Sequence, residues 1–172
     1  PGAVLKVGFI LLPGFDFLSF TGIIETLRQA IDLGDVGRSA WASWSIMASD
    51  PAPVASSCGA AVIPGGTWRD NADFDYLVVV GGRLSGADAS RPELLKYLGQ
   101  TVQRKITVVA LSSAVFVAAQ AGLLRGRRCA VPWLLYQEFK TRFPETRPVI
   151  DDIYVEDRGI ITCPGGTASF DL

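Results

Sequence analysis

Residues 106–122, I-T-V-V-A-L-S-S-A-V-F-V-A-A-Q-A-G, restrict the fold of this chain more than any other stretch. The first six are apolar and rich in β-branched side chains, the composition of a buried parallel strand. Residues 114–121 are small and apolar with no breaker, the composition of a buried helix. Only Ser112 and Ser113 separate the two, so the strand turns directly into the helix. Such a corner lifts its side chain above the sheet and aims a helix N-terminus at whatever binds there. Ala110 and Ala114, two residues to either side of Ser112, let the chains approach closely. This is the spacing of a nucleophile elbow with Ser112 at the corner. A serine hydroxyl reacts only when a base takes its proton. The chain contains no histidine. The corner is built like an active site, and the residues to run ordinary catalysis are missing.

Composition narrows the classes further. At 172 residues the chain suits one domain, 1–172, with a full core. With 49% hydrophobic and 19% charged residues it reads as a well-buried α/β domain rather than a disordered segment. A net charge of −1 points to no nucleic-acid surface within these residues. No apolar run approaches the ~20 residues that span a bilayer. Pro1-Gly2-Ala3 does not open a signal peptide, so a cytoplasmic protein without membrane contact is expected. Cys58, Cys129 and Cys163 are scattered and odd in number, which argues against a disulfide framework. Without histidine or a C-x-x-C pair, neither a metal site nor a cofactor is expected.

Along the chain, 5–12 reads as a first central strand ended by Pro13-Gly14. Residues 16–33 carry apolar side chains at helical spacing, with Thr21-Gly22 as the start of the main helix and Glu25 in its first turn. A second strand over 40–48, a hairpin over 54–63 turning at Gly59, and a loop at 64–66 follow. A third buried strand, 76–80, stops at Gly81-Gly82. Residues 91–104 form an amphipathic helix, with Ser90 as N-cap and Glu93 at the third helical position. After the elbow come a turn at 123–126, a strand at 128–131, a helix at 133–143, and two short strands around Asp157-Arg158-Gly159. Residues 162–167 form a glycine-rich loop. Alternating strands and helices predict a doubly wound parallel sheet with helices on both faces, a flavodoxin-like sandwich. Residues 167–172 read as a helix start, capped by Thr167 or Ser169, that continues beyond Leu172.

The motifs in combination resemble a known family. They are L-L-P-G-F at 11–15, V-G-G at 80–82, A-L-S-S-A-V-F at 110–116, A-G-L-L-R-G at 121–126, Trp133 followed by Phe143-Pro144-Glu145, and T-C-P-G-G-T-A-S-F-D-L at 162–172. This set resembles the ThiJ/PfpI superfamily, which has class I glutamine amidotransferase-like folds. More narrowly, it is similar to the amidotransferase-like N-terminal domain of AraC-type transcriptional regulators. The resemblance covers nearly the whole chain.

Three departures matter. The family places a nucleophilic cysteine at the elbow, where this chain has Ser112. Regulators of the family carry histidine before the tryptophan that opens the next helix, where Pro132 precedes Trp133. The family's acid after the L-P-G-F loop corresponds to Ser19. The backbone N–H groups of Gly82 and Ser113 correspond to the family's oxyanion donors.

Each residue also has a plainer reading. Ser112 could serve only as the N-cap of its helix. Gly81 and Gly82 could simply end a strand, although paired glycines there are where open α/β sheets bind ligands. Arg83 reads as a solvated loop residue before an anion clamp. Trp68 and Trp133 read as core or dimer-face aromatics before pocket walls. Glu25 serves its helix, and Cys129 and Cys163 are small buried residues.

The resemblance implies a non-catalytic, metabolite-sensing and dimerising domain, with a ligand at Ser112, Ser113, Gly82, Arg83 and Trp133. It implies a homodimer, nitrogenous ligands such as amino acids or betaines, and DNA contact only through a domain absent from this chain. Two alternatives stay open: a divergent hydrolase or hydratase using Ser112, and a dimerisation scaffold with a vestigial pocket.

Overall fold

The structure, a computed structural model, describes residues 4–34, 41–68, 73–83 and 91–172. Its strands in chain order are β1 (Leu5–Leu11), β2 (Ala42–Ala48), β3 (Val54–Ala55), β4 (Ala61–Val62), β5 (Gly66–Thr67), β6 (Tyr76–Val80), β7 (Thr107–Leu111), β8 (Arg128–Ala130), β9 (Arg147–Val149), β10 (Val155–Asp157) and β11 (Ile160–Cys163). The α-helices are α1 (Phe17–Gly34), α2 (Pro92–Gln103), α3 (Ala114–Gln120) and α4 (Tyr136–Arg142). Among the described residues, 3-10 helices occupy Trp133–Leu135 and Gly166–Asp171.

The three most apolar runs sit side by side at the centre of a seven-stranded sheet of order β10-β11-β7-β6-β1-β2-β5. Every pairing in it is parallel except the β10–β11 hairpin. Strand side chains alternate between faces, so a run apolar throughout must be covered on both. Leu77 and Val79 of β6, with Val108 and Ala110 of β7, pack in one core with Leu94 and Leu98 of α2, the length of α3 and Phe139 of α4. Val78, Val80, Val109 and Leu111 pack in the other, with Phe20, Ile23, Ile24 and Leu27 of α1. Full burial of each such side chain contributes roughly 1.5–3 kcal/mol, which makes β6 and β7 the rigid floor of the fold. Trp68 belongs to the first core, against Tyr97 at a ring-centroid distance of 5.7 Å.

Several local expectations need correction. The main helix starts at Phe17 rather than Thr21, because Asp16 caps it. Its Oδ1 accepts the N–H groups of Leu18 and Ser19 at 3.2 and 3.4 Å, and its carbonyl accepts that of Phe20. Glu25 therefore lies inside the helix and pairs with Arg28 at its exposed surface. Helix α2 begins at Pro92, with Arg91 as an extended N-cap that makes no side-chain cap, as the steric demand of a following proline favours. Ser90 lies outside the described residues. The 64–66 loop ends in β5, which extends the sheet edge beside β2. The helix expected over 133–143 is a 3-10 turn followed by α4. Strand β9, unexpected because of Pro148, pairs with β8 in a separate two-stranded sheet. Residues 166–171 form a 3-10 helix preceded by Gly165, not an α-helix capped by Thr167 or Ser169.

Candidate functional site

The elbow is present in the backbone. Strand β7 ends at Leu111, α3 begins at Ala114, and Ser112 between them has φ +55°. Left-handed backbone costs a non-glycine residue about 1–2 kcal/mol, so neighbours must hold it. The Ser112 N–H donates to the Cys163 carbonyl of β11 at 2.9 Å, and the Gly81 N–H donates to the Leu111 carbonyl at 3.1 Å. Ser112 is thus not the helix N-cap. That position falls to Ser113, whose side chain makes no capping bond.

Ser113 does something else. Its hydroxyl, buried at the corner, accepts the Gly82 N–H at 2.9 Å. The amide expected to face a ligand's oxygen is instead partnered inside the protein. Gly82 is also locked in place: a Cβ there would lie 1.9 Å from the Gly14 carbonyl oxygen. The two segments are sewn together by Asp16 N–H to Gly81 O at 2.8 Å and Arg83 N–H to Gly14 O at 3.0 Å.

Ser19 is fully buried, but the loop before α1 still supplies an acid. The Ser19 hydroxyl donates to Asp16 Oδ2 at 2.6 Å. The Gly166 N–H is shared between Asp16 Oδ2 at 2.8 Å and Ser19 Oγ at 2.9 Å. A Cβ on Gly165 would meet Ser112 Cβ at 2.8 Å and Asp16 Oδ2 at 3.1 Å, so the carboxylate lies next to the corner with only glycine backbone between. Sequence reading missed Asp16. The signal was an aspartate directly before an apolar helical run, the ordinary N-cap pattern.

The other candidates are less closely tied to the corner. Arg83 is exposed and anchored through its backbone. Pro132 opens the 3-10 turn, its carbonyl accepting the Leu135 N–H at 2.8 Å. Trp133 is 73% exposed on that turn, which makes it a surface aromatic and not a core one. Cys163 is fully buried beside Ser112; burial pushes its thiol up, and the Gly165 backbone offsets part of that. Burial pushes the Cys129 thiol up to about 12. Cys58 is exposed on the β3–β4 hairpin, where the Ser56 hydroxyl and the Ala60 backbone hold its thiol down.

Chemically, the corner offers the Ser112 hydroxyl and, across the Gly165 backbone, the Asp16 carboxylate, in a chain without histidine. An ionised carboxylate has about four lone-pair sites. Those of Asp16 accept from Leu18, Ser19 twice, and Gly166. Among the described residues no group of three or more metal-ligating side chains is assembled, and no helix is long and apolar enough to cross a membrane.

A doubly wound sheet whose central strand turns through a left-handed serine into a buried helix defines an amidotransferase-like α/β domain. The chain belongs to the DJ-1/PfpI family, whose sequence profile matches residues 5–172. It is 33% identical over 165 residues to the HTH-type transcriptional regulator CdhR of Pseudomonas aeruginosa, covering 95% of this chain and 47% of that protein. It is 29% identical over 167 residues to the HTH-type transcriptional regulator GbdR of the same species, covering 97% and 44%. The chain thus spans about half the length of these curated relatives. Its fold matches the crystal structure of an AraC family transcriptional regulator from Pseudomonas putida with a TM-score of 0.82 at 21% identity, over 98% of this chain and 88% of that one. It matches Drosophila melanogaster DJ-1beta with a TM-score of 0.78 at 19% identity, over 98% and 86%.

Proposed function

We propose that this chain is the non-catalytic, ligand-sensing and dimerising domain of a transcriptional regulator whose DNA-binding domain lies outside it. The observation that carries the reading is the corner itself. Ser112 stands in elbow geometry beside a carboxylate already engaged by four donors, in a chain without histidine. Such a corner is suited to bind rather than to activate a nucleophile. The HTH-type regulators among its relatives support the same reading. The ligand is a small polar metabolite, amino acids and betaines being the first candidates. The Ser112 hydroxyl and the Ser113 N–H are its polar contacts, with Arg83 and Trp133 as outer contacts.

A thermal-shift panel of amino acids, betaines and carboxylates tests this. Binding to the folded state alone adds roughly 2.7 kcal/mol of stability at a hundredfold excess over Kd. The expected result is a hit that Ser112→Phe abolishes while the protein stays folded. No hit, or a hit indifferent to Ser112→Phe, overturns the sensing role and favours a dimerisation scaffold. An esterase, amidase or hydratase rate that falls more than ~tenfold in Ser112→Ala would establish catalysis instead.

A further inference from the structure

The corner and the 3-10 helix at Gly166–Asp171 meet at a single residue, Gly165. Its φ of +91° and ψ of −167° belong to a region open essentially to glycine alone. Its backbone fills the space between Ser112 and Asp16, as the 2.8 and 3.1 Å contacts of a Cβ built there show. The next N–H, that of Gly166, is the one held by Asp16 and Ser19, at 2.8 and 2.9 Å. Further along the same 3-10 helix, Ala168 packs into the core on the α1 side and the Phe170 ring lies over Gly22 of α1. Cys163 is fully buried in that core, and the Ser169 hydroxyl of the 3-10 helix is buried without a hydrogen-bond partner. The helix is therefore seated by one polar clasp at its start and one aromatic contact near its end.

We propose that occupancy of the Ser112 corner is transmitted to residues 166–171 through Gly165: bulk bearing on Ser112 displaces the 165–166 backbone, opens the Gly166 clasp on Asp16 and Ser19, and lifts the 3-10 helix off Cys163. The inference deepens the sensing reading and rests on it. It supplies the step from a bound metabolite to a change at the carboxyl end of the chain. The coupling is direct, because no side chain intervenes between Ser112 and the clasp. A ligand can shift such an equilibrium only by its differential affinity for the two states. Here the difference is steric, since the seated helix leaves Gly165 hard against Ser112.

Cys163 is a built-in reporter. N-ethylmaleimide labelling of the native protein, quantified for each cysteine by mass spectrometry, reads how often the 3-10 helix lifts. Cys129, buried in the core on the opposite face, reports global unfolding. Three variants perturb the relay at different points. Ser112→Asn adds bulk at the corner with a residue that tolerates left-handed backbone. Gly165→Ala drives a methyl group into Ser112, and Asp16→Asn weakens the clasp, together with the α1 cap, while leaving Ser112 unchanged. Each is expected to raise Cys163 labelling about tenfold or more relative to Cys129, as local opening predicts. Unchanged Cys163 labelling in Ser112→Asn overturns the relay. So do Cys163 and Cys129 rising in parallel in all three variants. The two readings fail separately: a ligand panel without hits removes the sensing role, whereas a hit with a silent Cys163 removes only the relay.

Discussion

The Gly82 N–H and the Ser113 hydroxyl, from two different strand ends, close a 2.9 Å hydrogen bond across the elbow. That bond converts a donor which the fold would otherwise present to a ligand into part of the scaffold. It also explains why a second serine follows the corner: its hydroxyl serves the neighbouring strand rather than its own helix.

Removing it tests the assignment. Ser113→Ala leaves the Gly82 amide without its partner at a partly buried site, which costs about 1–3 kcal/mol. Urea denaturation should show the midpoint falling with the slope unchanged. A Ser113→Ala protein as stable as wild type would mean that water replaces the hydroxyl at no cost and the amide is open after all.

Ser112 should behave as a strained position. At φ +55°, glycine relieves the steric penalty, so Ser112→Gly is expected to lie within about 1 kcal/mol of wild type despite the lost hydroxyl. A β-branched residue cannot relax there, and Ser112→Val is expected to cost about 2 kcal/mol or more. The two substitutions remove the same hydroxyl, so the gap between their melting temperatures reads backbone strain together with the valine's added bulk against Gly165. Equal melting temperatures would remove the strained-elbow description.

What the sequence makes legible follows from how local each cause is. The central strands can be read because Tyr76–Val80 and Thr107–Leu111 carry their burial in their own composition. The elbow can be read because nothing lies between strand and helix. The Asp16 clasp cannot, since its partner Gly166 is 150 residues away and backbone N–H groups leave no mark in a sequence. The Gly82–Ser113 bond is hidden for the same reason. Strand β9 is masked by Pro148, which local rules read as a breaker although it suits a short two-stranded ribbon. Trp133 shows the limit for aromatics: the residue type fits core and surface alike, and only the placement of its 3-10 turn exposes it.

The three cysteines should separate cleanly by reactivity. Thiolate is the reactive form. Cys58 is exposed with its thiol held down, whereas burial pushes Cys129 up to about 12 and Cys163 up as well. Ellman's reagent at pH 8 should therefore titrate one thiol rapidly in the native protein and three after denaturation. Cys58→Ser should abolish the fast phase. Two fast thiols in the native protein would place one of the buried pair at the surface.

Asp157 should make stability depend on pH in a defined direction. Its Oδ1 accepts from Arg158 Nε at 2.8 Å and its Oδ2 from the Arg128 N–H at 3.0 Å, tying the β10–β11 turn to the start of β8. The Arg158 side-chain bond first, then the Arg128 backbone bond, hold this carboxyl below the usual carboxylate range. A group with a depressed folded pKa stabilises the fold fully above its unfolded value, roughly 3.9 for aspartate. That contribution fades as pH falls through the folded value, because the unfolded chain takes up the proton first. Asp157→Asn removes the charge and keeps the shape. The variant should unfold at lower urea concentration than wild type at pH 7, and the gap should close progressively below about pH 4. A gap that persists at pH 2.5 would assign the effect of Asp157→Asn to hydrogen-bond geometry rather than to charge.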